Sequence, residues 1–379
     1  MLRVARYTLA AASISLALAR CQDVTGPNSA ARPPRTGLVM SGVAESTAPL
    51  ILHTVPPQTT DPEITWAPSA NPQLADHYVW LNPSVRGNPK LLVFMPGTGN
   101  QPFQWSQYLL PVAAHLGYHV IGLMYQNDKG VDGICKGSPD PDCSGKMRLE
   151  ILDGIDHSGL VNVTRANSID NRLAKLLVYL SRDDQFADEG WSRFLDEDGM
   201  PKWSQIVVAG QSQGAGQAAL IGKLRHVDRV VMFSGPPDAR VPEVTDPWIS
   251  IGATPAAKYF GLFHEQDQLV VGIRTNLAAL DMERFGPPIV VEENEPPYGG
   301  AHILATNLLP QSGSYAPRAP HQSTARDDQT PLGGSDGKTP LLRDAWRYLL
   351  GAHHADQELA DDREHRDEID VGSGGGTRH

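Results

Sequence analysis

From residue 77 to residue 350 the chain alternates short, solidly apolar runs with longer stretches whose apolar residues recur every three or four positions. The first kind reads as strands buried on both faces, the second as helices lying against a sheet. Residues 90–95 form a continuous apolar run stopped by Pro96-Gly97. Residues 119–125, 205–209, 229–233 and 258–263 repeat that pattern. Residues 77–81 predict a further strand closed by Asn82-Pro83, and 289–292 a last short one. Helices are predicted over 108–115, 167–180 with Ser168 as cap, 215–224, 269–285, and 341–350 with Trp346 facing inward. Strands alternating with helices imply a mostly parallel central sheet with helices on both faces, an α/β fold. Residues 126–163 show no clear element, and a loop of that length is commonly functional or a partial lid.

The ends have a different character. Arg3 and Arg6 precede an uncharged, mostly apolar run over 8–19, too short to span a bilayer, and Ala17-Leu18-Ala19 offers a small-residue cleavage site. Residues 1–20 therefore read as a signal peptide, and the protein as exported: secreted, periplasmic or lipid-anchored at the cell envelope. Cys21 offers a lipidation position and with it a membrane attachment, although Arg20 departs from the small residue such signals carry. Residues 21–72 are rich in Pro, Ser, Thr and Ala and read as an irregular lead-in or tether. The folded domain is assigned to 73–351. Residues 352–379, charged and then Gly-rich, read as a disordered tail.

Of 379 residues, 40% are hydrophobic and 20% charged, which is ordinary for a globular chain and enough for a core without metal or disulfide support. The net charge of -11 argues against a nucleic-acid partner, and since part of it sits in the tail it says little about the substrate. Cys135 and Cys143 bracket seven residues of mostly turn-forming type, so a local disulfide is expected in an exported chain. Cys21 is then the odd cysteine, which favours its lipidation. No metal-binding or nucleotide-cradling motif is present, and no cofactor is expected.

The chemistry centres on Gly210-Gln211-Ser212-Gln213-Gly214. It follows an apolar strand and precedes a predicted helix, the setting of a nucleophile elbow. Small residues at Gly210, Gly214, Gly216 and Ala218-Ala219 let strand, turn and helix approach closely. With Phe94-Met95-Pro96-Gly97-Thr98-Gly99 and Phe233-Ser234-Gly235-Pro236, this segment resembles the α/β-hydrolases, and more narrowly exported bacterial and fungal esterase-like serine hydrolases of unsettled substrate. The resemblance runs from about His77 to Leu350.

It implies a Ser–acid–His order along the chain. Asp267, just past the strand at 258–263, is the preferred acid, with Glu265 its competitor and Asp238 a more distant one. His321, nearer the closing helix, is favoured as base, and His302 after Tyr298-Gly299-Gly300-Ala301 is the alternative. His157 and His264 fall before or beside the acid. The oxyanion hole is expected from the N–H groups of Gln213 and Thr98, with Gly99 close behind Thr98. Phe103, Trp105, Tyr125 and Trp248 are candidates to line a pocket. The expected activity is hydrolysis of a small-molecule or lipid ester through an acyl-enzyme. A peptidase or acyltransferase on the same elbow, or a non-catalytic binding protein that kept the fold, are the rival readings.

Overall fold

A computed structural model describes residues 49–68, 75–85, 90–240, 244–250 and 252–351, with the backbone of Arg35–Val39. The expected signal peptide over 1–20, Cys21 and the expected tail over 352–379 lie outside the described residues.

Ten strands make one sheet, in the order β1-β2-β3-β5-β4-β6-β7-β10-β12-β11. On one side of it β1 (Arg35–Val39), β2 (Leu50–Val55) and β3 (His77–Leu81) pair antiparallel, and β3 pairs antiparallel with β5 (His119–Gly122). From β5 onward all neighbours are parallel: β4 (Leu91–Met95), β6 (Ile206–Gln211), β7 (Arg229–Phe233), β10 (Tyr259–His264), β12 (Ile303–Thr306) and β11 (Ile289–Val290). The central strands are buried end to end because helices cover both faces, and alternate residues feed two cores. Val93, Val208, Met232 and Phe263 face one, where α4 (Cys143–Asp153), α5 (Ile169–Arg182), α6 (Gln213–Leu224) and α7 (Val270–Ala279) pack. Phe94, Val207, Phe233 and Leu262 face the other, under α2 (Leu109–His115) and α9 (Arg343–Leu349). Each fully buried side chain of this size contributes about 1.5–3 kcal/mol. Trp346 is fully buried as expected, and its indole N–H donates to Thr324 O at 2.8 Å. Ser168 caps α5 by accepting from Asn171 N at 3.2 Å.

Smaller elements complete the chain. Helices α1 (Pro57–Thr60), α3 (Val131–Cys135) and α8 (Ala319–Ser323) are short. Hairpins β8/β9 (Ala239–Arg240, Val244–Thr245) and β13/β14 (Leu332–Gly333, Thr339–Pro340) lie outside the main sheet.

Several expectations need correction. Residues 21–72 are not wholly an irregular lead-in: β1 and β2 extend the sheet, because Leu50, His53 and Val55 point inward and Val55 pairs with His77. Residues 126–163 hold α3 and α4. The helix expected over 269–285 ends at Ala279, where Asp281 turns left-handed at φ 58°, and resumes as a 3-10 turn at Met282–Phe285. The last strand of the main sheet in chain order is β12, with β11 a two-residue edge beside it.

Candidate active site

Strand β6 ends at Gln211 and α6 begins at Gln213, so Ser212 alone makes the junction. Its backbone stands at φ 56°, ψ -116°, a conformation that costs of order 1–3 kcal/mol in a non-glycine residue. The surroundings impose it. A Cβ at Gly214 would lie 1.9 Å from Met95 O, and one at Gly210 would lie 2.3 Å from the Gly214 carbonyl carbon. Only glycines let β6, the turn and α6 close this tightly. Ser212 N donates to Phe233 O at 2.9 Å, and its half-buried side chain sits at the start of α6, where helix N–H groups lack internal acceptors.

Asp267 lies three residues past the end of β10. Its N–H donates back to His264 O at 3.0 Å, and its Oδ1 accepts from Leu269 N at 2.8 Å. These bonds fix the carboxylate, whose Oδ2 accepts from His321 Nδ1 at 2.7 Å. Both side chains are buried. His321 sits in α8, and its carbonyl accepts from Gln211 Nε2 at 3.0 Å, which anchors it beside the residue preceding Ser212. With Nδ1 donating to a carboxylate, the lone pair of the neutral imidazole is on Nε2. That nitrogen makes no hydrogen bond to any described residue.

The other sequence candidates lie elsewhere. Ser212 and Asp267 follow the C-terminal ends of parallel strands, whereas His302 precedes β12 at the opposite edge of the sheet. Its carbonyl accepts from Gly261 N at 2.9 Å and its Nδ1 donates to Tyr259 O at 2.9 Å. The ring is stacked between Phe260 and Phe285, with centroids 4.2 and 3.8 Å away. Burial, assisted by the Arg229 charge, holds its pKa below the ordinary value. Glu265 pairs with Arg274 at 2.6 Å. Asp238 is fully buried against Arg148. His264 Nε2 is engaged with Leu308 O, and His157 with Asp153.

The loop after β4 backs onto the elbow: a Cβ at Gly97 would lie 3.2 Å from Ser212 Cβ. Gly99 N–H is spent on Asn127 O at 2.9 Å, and among the described residues nothing accepts the Thr98 N–H. Thr98 Oγ1 donates to Gln213 Oε1 at 2.7 Å, so the two residues expected to aim donors at an oxyanion are bonded to each other. Buried Asn127, which the sequence reading missed, donates from Nδ2 to both Gly97 O and Asn100 O at 2.9 Å and shapes the loop.

Arg148 was also missed. Fully buried in α4, it pairs with Asp238 and donates from Nη1 to Gln213 O at 2.9 Å. A Cβ at Gly216 would lie 2.3 Å from its guanidinium carbon, so Gly216 makes room for this arginine. No local pattern marks it, because Ser144, Arg148 and Glu150 share the buried face of α4 with its apolar residues. Cys135 and Cys143 are joined in a disulfide that links α3 to α4. Of the four aromatics, Trp105 packs on Phe94, the Tyr125 hydroxyl donates to Pro96 O at 2.8 Å, Trp248 donates to Ser144 Oγ, and Phe103 is half-buried. Among the described residues no group of three His, Cys, Asp or Glu side chains is placed to hold a metal ion. No helix among them is long and apolar enough to cross a membrane.

Setting aside the outer β1 and the edge strand β11, the sheet has eight strands, all parallel except β3. Ser212 follows the fifth in chain order, Asp267 the seventh and His321 the eighth. The chain has the α/β-hydrolase fold. No family model and no curated protein matches it by sequence. Among solved structures it is similar to a dienelactone hydrolase from Anabaena variabilis ATCC 29413, at 15% identity over 72% of this chain and 85% of that one, with a TM-score of 0.30. The α/β-hydrolase assignment stands on the strand order of this chain.

Proposed function

We propose that the protein is a serine hydrolase acting on carboxylic esters. Ser212 is the nucleophile, His321 the general base, Asp267 its orienting acid, and the N–H groups of Gln213 and Thr98 the oxyanion donors. The observation that carries this reading is the bond from His321 Nδ1 to Asp267 Oδ2, made on a residue whose own carbonyl is tied to the elbow.

In the first half-reaction His321 Nε2 takes the Ser212 proton as Oγ attacks the ester carbonyl. The carbonyl electron pair moves onto oxygen, held by the two N–H groups. Collapse breaks the bond to the alcohol, which leaves with the proton from Nε2. Water then attacks the acyl-enzyme, giving its proton to Nε2, and Ser212 leaves reprotonated with release of the acid. Ester hydrolysis by the wild type, lost in Ser212→Ala, tests the reading. Equal turnover by both proteins would refute it.

The disulfide supports an exported location, since such bonds persist in oxidising compartments. Fractionation of cells expressing the full chain tests this. Recovery in the cytoplasm with residues 1–20 intact would refute it.

A further inference from the structure

Gln213 is where two walls of the candidate anion site meet. Its Oε1 accepts from Thr98 Oγ1 at 2.7 Å and from Val131 N at 3.4 Å, while its backbone carbonyl accepts from Arg148 Nη1 at 2.9 Å. Val131 is the first residue of α3 and Arg148 lies in α4. The disulfide joins Cys135, the last residue of α3, to Cys143, the first of α4. One covalent closure therefore fixes both arms that grip the same residue. Helix α3 has only five residues and little stability of its own. A chain of this size also has core enough to fold without the crosslink.

We propose that the Cys135–Cys143 disulfide is a brace for the oxyanion site, acting through Gln213. It sets where α3 and α4 hold Gln213, and through the Thr98 hydroxyl it sets the position of the Thr98 N–H. Cys135, Cys143 and Val131 are positioning residues and touch no reacting atom. Since the oxyanion exists only along the reaction path, a loosened brace lowers kcat and leaves KM in place. The inference rests on the serine-hydrolase reading above.

The two sulfurs are buried, so substitution is a cleaner probe than a reducing agent. Cys135→Ala with Cys143→Ala is expected to lower kcat for a fluorogenic ester about tenfold, less than the roughly 10²–10³ that deletion of a whole donor costs. KM, the pH profile and the far-UV circular dichroism are expected to hold. Thr98→Val, at an exposed position, removes only the last link and is expected to lower kcat similarly. The combined variant is expected to be no slower than the worse of the two, because both act on one contact. A folded Cys135→Ala, Cys143→Ala variant with wild-type kcat overturns the proposal, as do losses that multiply in the combination. If the chain without the disulfide does not fold, Thr98→Val in the intact protein decides, and an unchanged kcat overturns the brace. A wild type inert to esters would instead refute the hydrolase reading, whereas an active wild type with unaffected variants refutes the brace alone.

Discussion

His321 is bonded to Asp267 and to the elbow at once: Nδ1 donates to Asp267 Oδ2 at 2.7 Å while its carbonyl accepts from Gln211 Nε2 at 3.0 Å. The first bond selects the tautomer and the second fixes the backbone from which the ring extends. Asp267→Asn keeps the shape but offers Nδ1 an amide that can turn its donor inward and reverse the tautomer. A fall in kcat of roughly 10³–10⁴ is expected, with the melting temperature nearly unchanged. Steady-state kinetics and a thermal melt check this, and a variant with wild-type kcat would remove Asp267 from the mechanism.

His302 is expected to behave in the opposite way. Its ring fills a slot between Phe260 and Phe285 and satisfies Tyr259 O, at the far edge of the sheet from Ser212. His302→Leu is expected to cost about 1–3 kcal/mol of stability through the lost hydrogen bond and stacking. Turnover by the folded protein should stay within about twofold, since no transition-state contact is lost. Denaturant melts and kinetics on the same preparation separate the two effects.

Arg148 and Asp238 form a fully buried ion pair beneath the elbow helix. Arg148→Met strands the carboxylate without a partner and is expected to destabilise the fold by about 3–5 kcal/mol. Adding Asp238→Leu removes the stranded charge and should recover much of that loss. If the double variant is less stable than Arg148→Met alone, the pair is not the source of the cost.

Acid should weaken the fold through its buried histidines, ahead of the carboxylates that titrate in their ordinary range. Burial holds the imidazoles of His77, His119, His264 and His302 below their ordinary value, and the Arg172 charge adds to this at His77. The unfolded chain then binds protons near pH 6.5 that the folded chain refuses. This stability is present above about pH 6.5 and is lost as pH falls, at up to about 1.4 kcal/mol per pH unit for each histidine. Asp327, whose carboxyl burial pushes up to about 8, works the other way, as do Asp170 and Asp246, whose carboxyls burial also pushes up. The melting temperature should drop between pH 7.5 and 5, and a flat profile would contradict this balance.

The parallel strands and the elbow were legible because each is a local pattern: a solid apolar run, a glycine turn, a helix of small residues. Helix α4 was not. Its buried face carries Ser144, Arg148 and Glu150, which interrupt the apolar period. Glu150 spends its carboxylate on the N–H groups of His157, Ser158 and Val163, a tertiary role that no local spacing reveals. Strand β2 was hidden for a related reason, since its apolar residues lie in a stretch whose composition reads as tether. The choice between His302 and His321 turned on which edge of the sheet each occupies. That depends on whether Ile303–Thr306 is a strand, and the sequence allowed both readings. Thr98 is separated from Gly99 only by the Asn127 carbonyl, brought in from a different loop.

The most direct test of the account is covalent. Folded wild-type protein treated with a fluorophosphonate probe should gain one adduct by intact mass, on the peptide containing Ser212, and Ser212→Ala should gain none. Folded wild type that stays unlabelled, or a Ser212→Ala protein that labels equally well, would contradict the assignment of Ser212 as nucleophile.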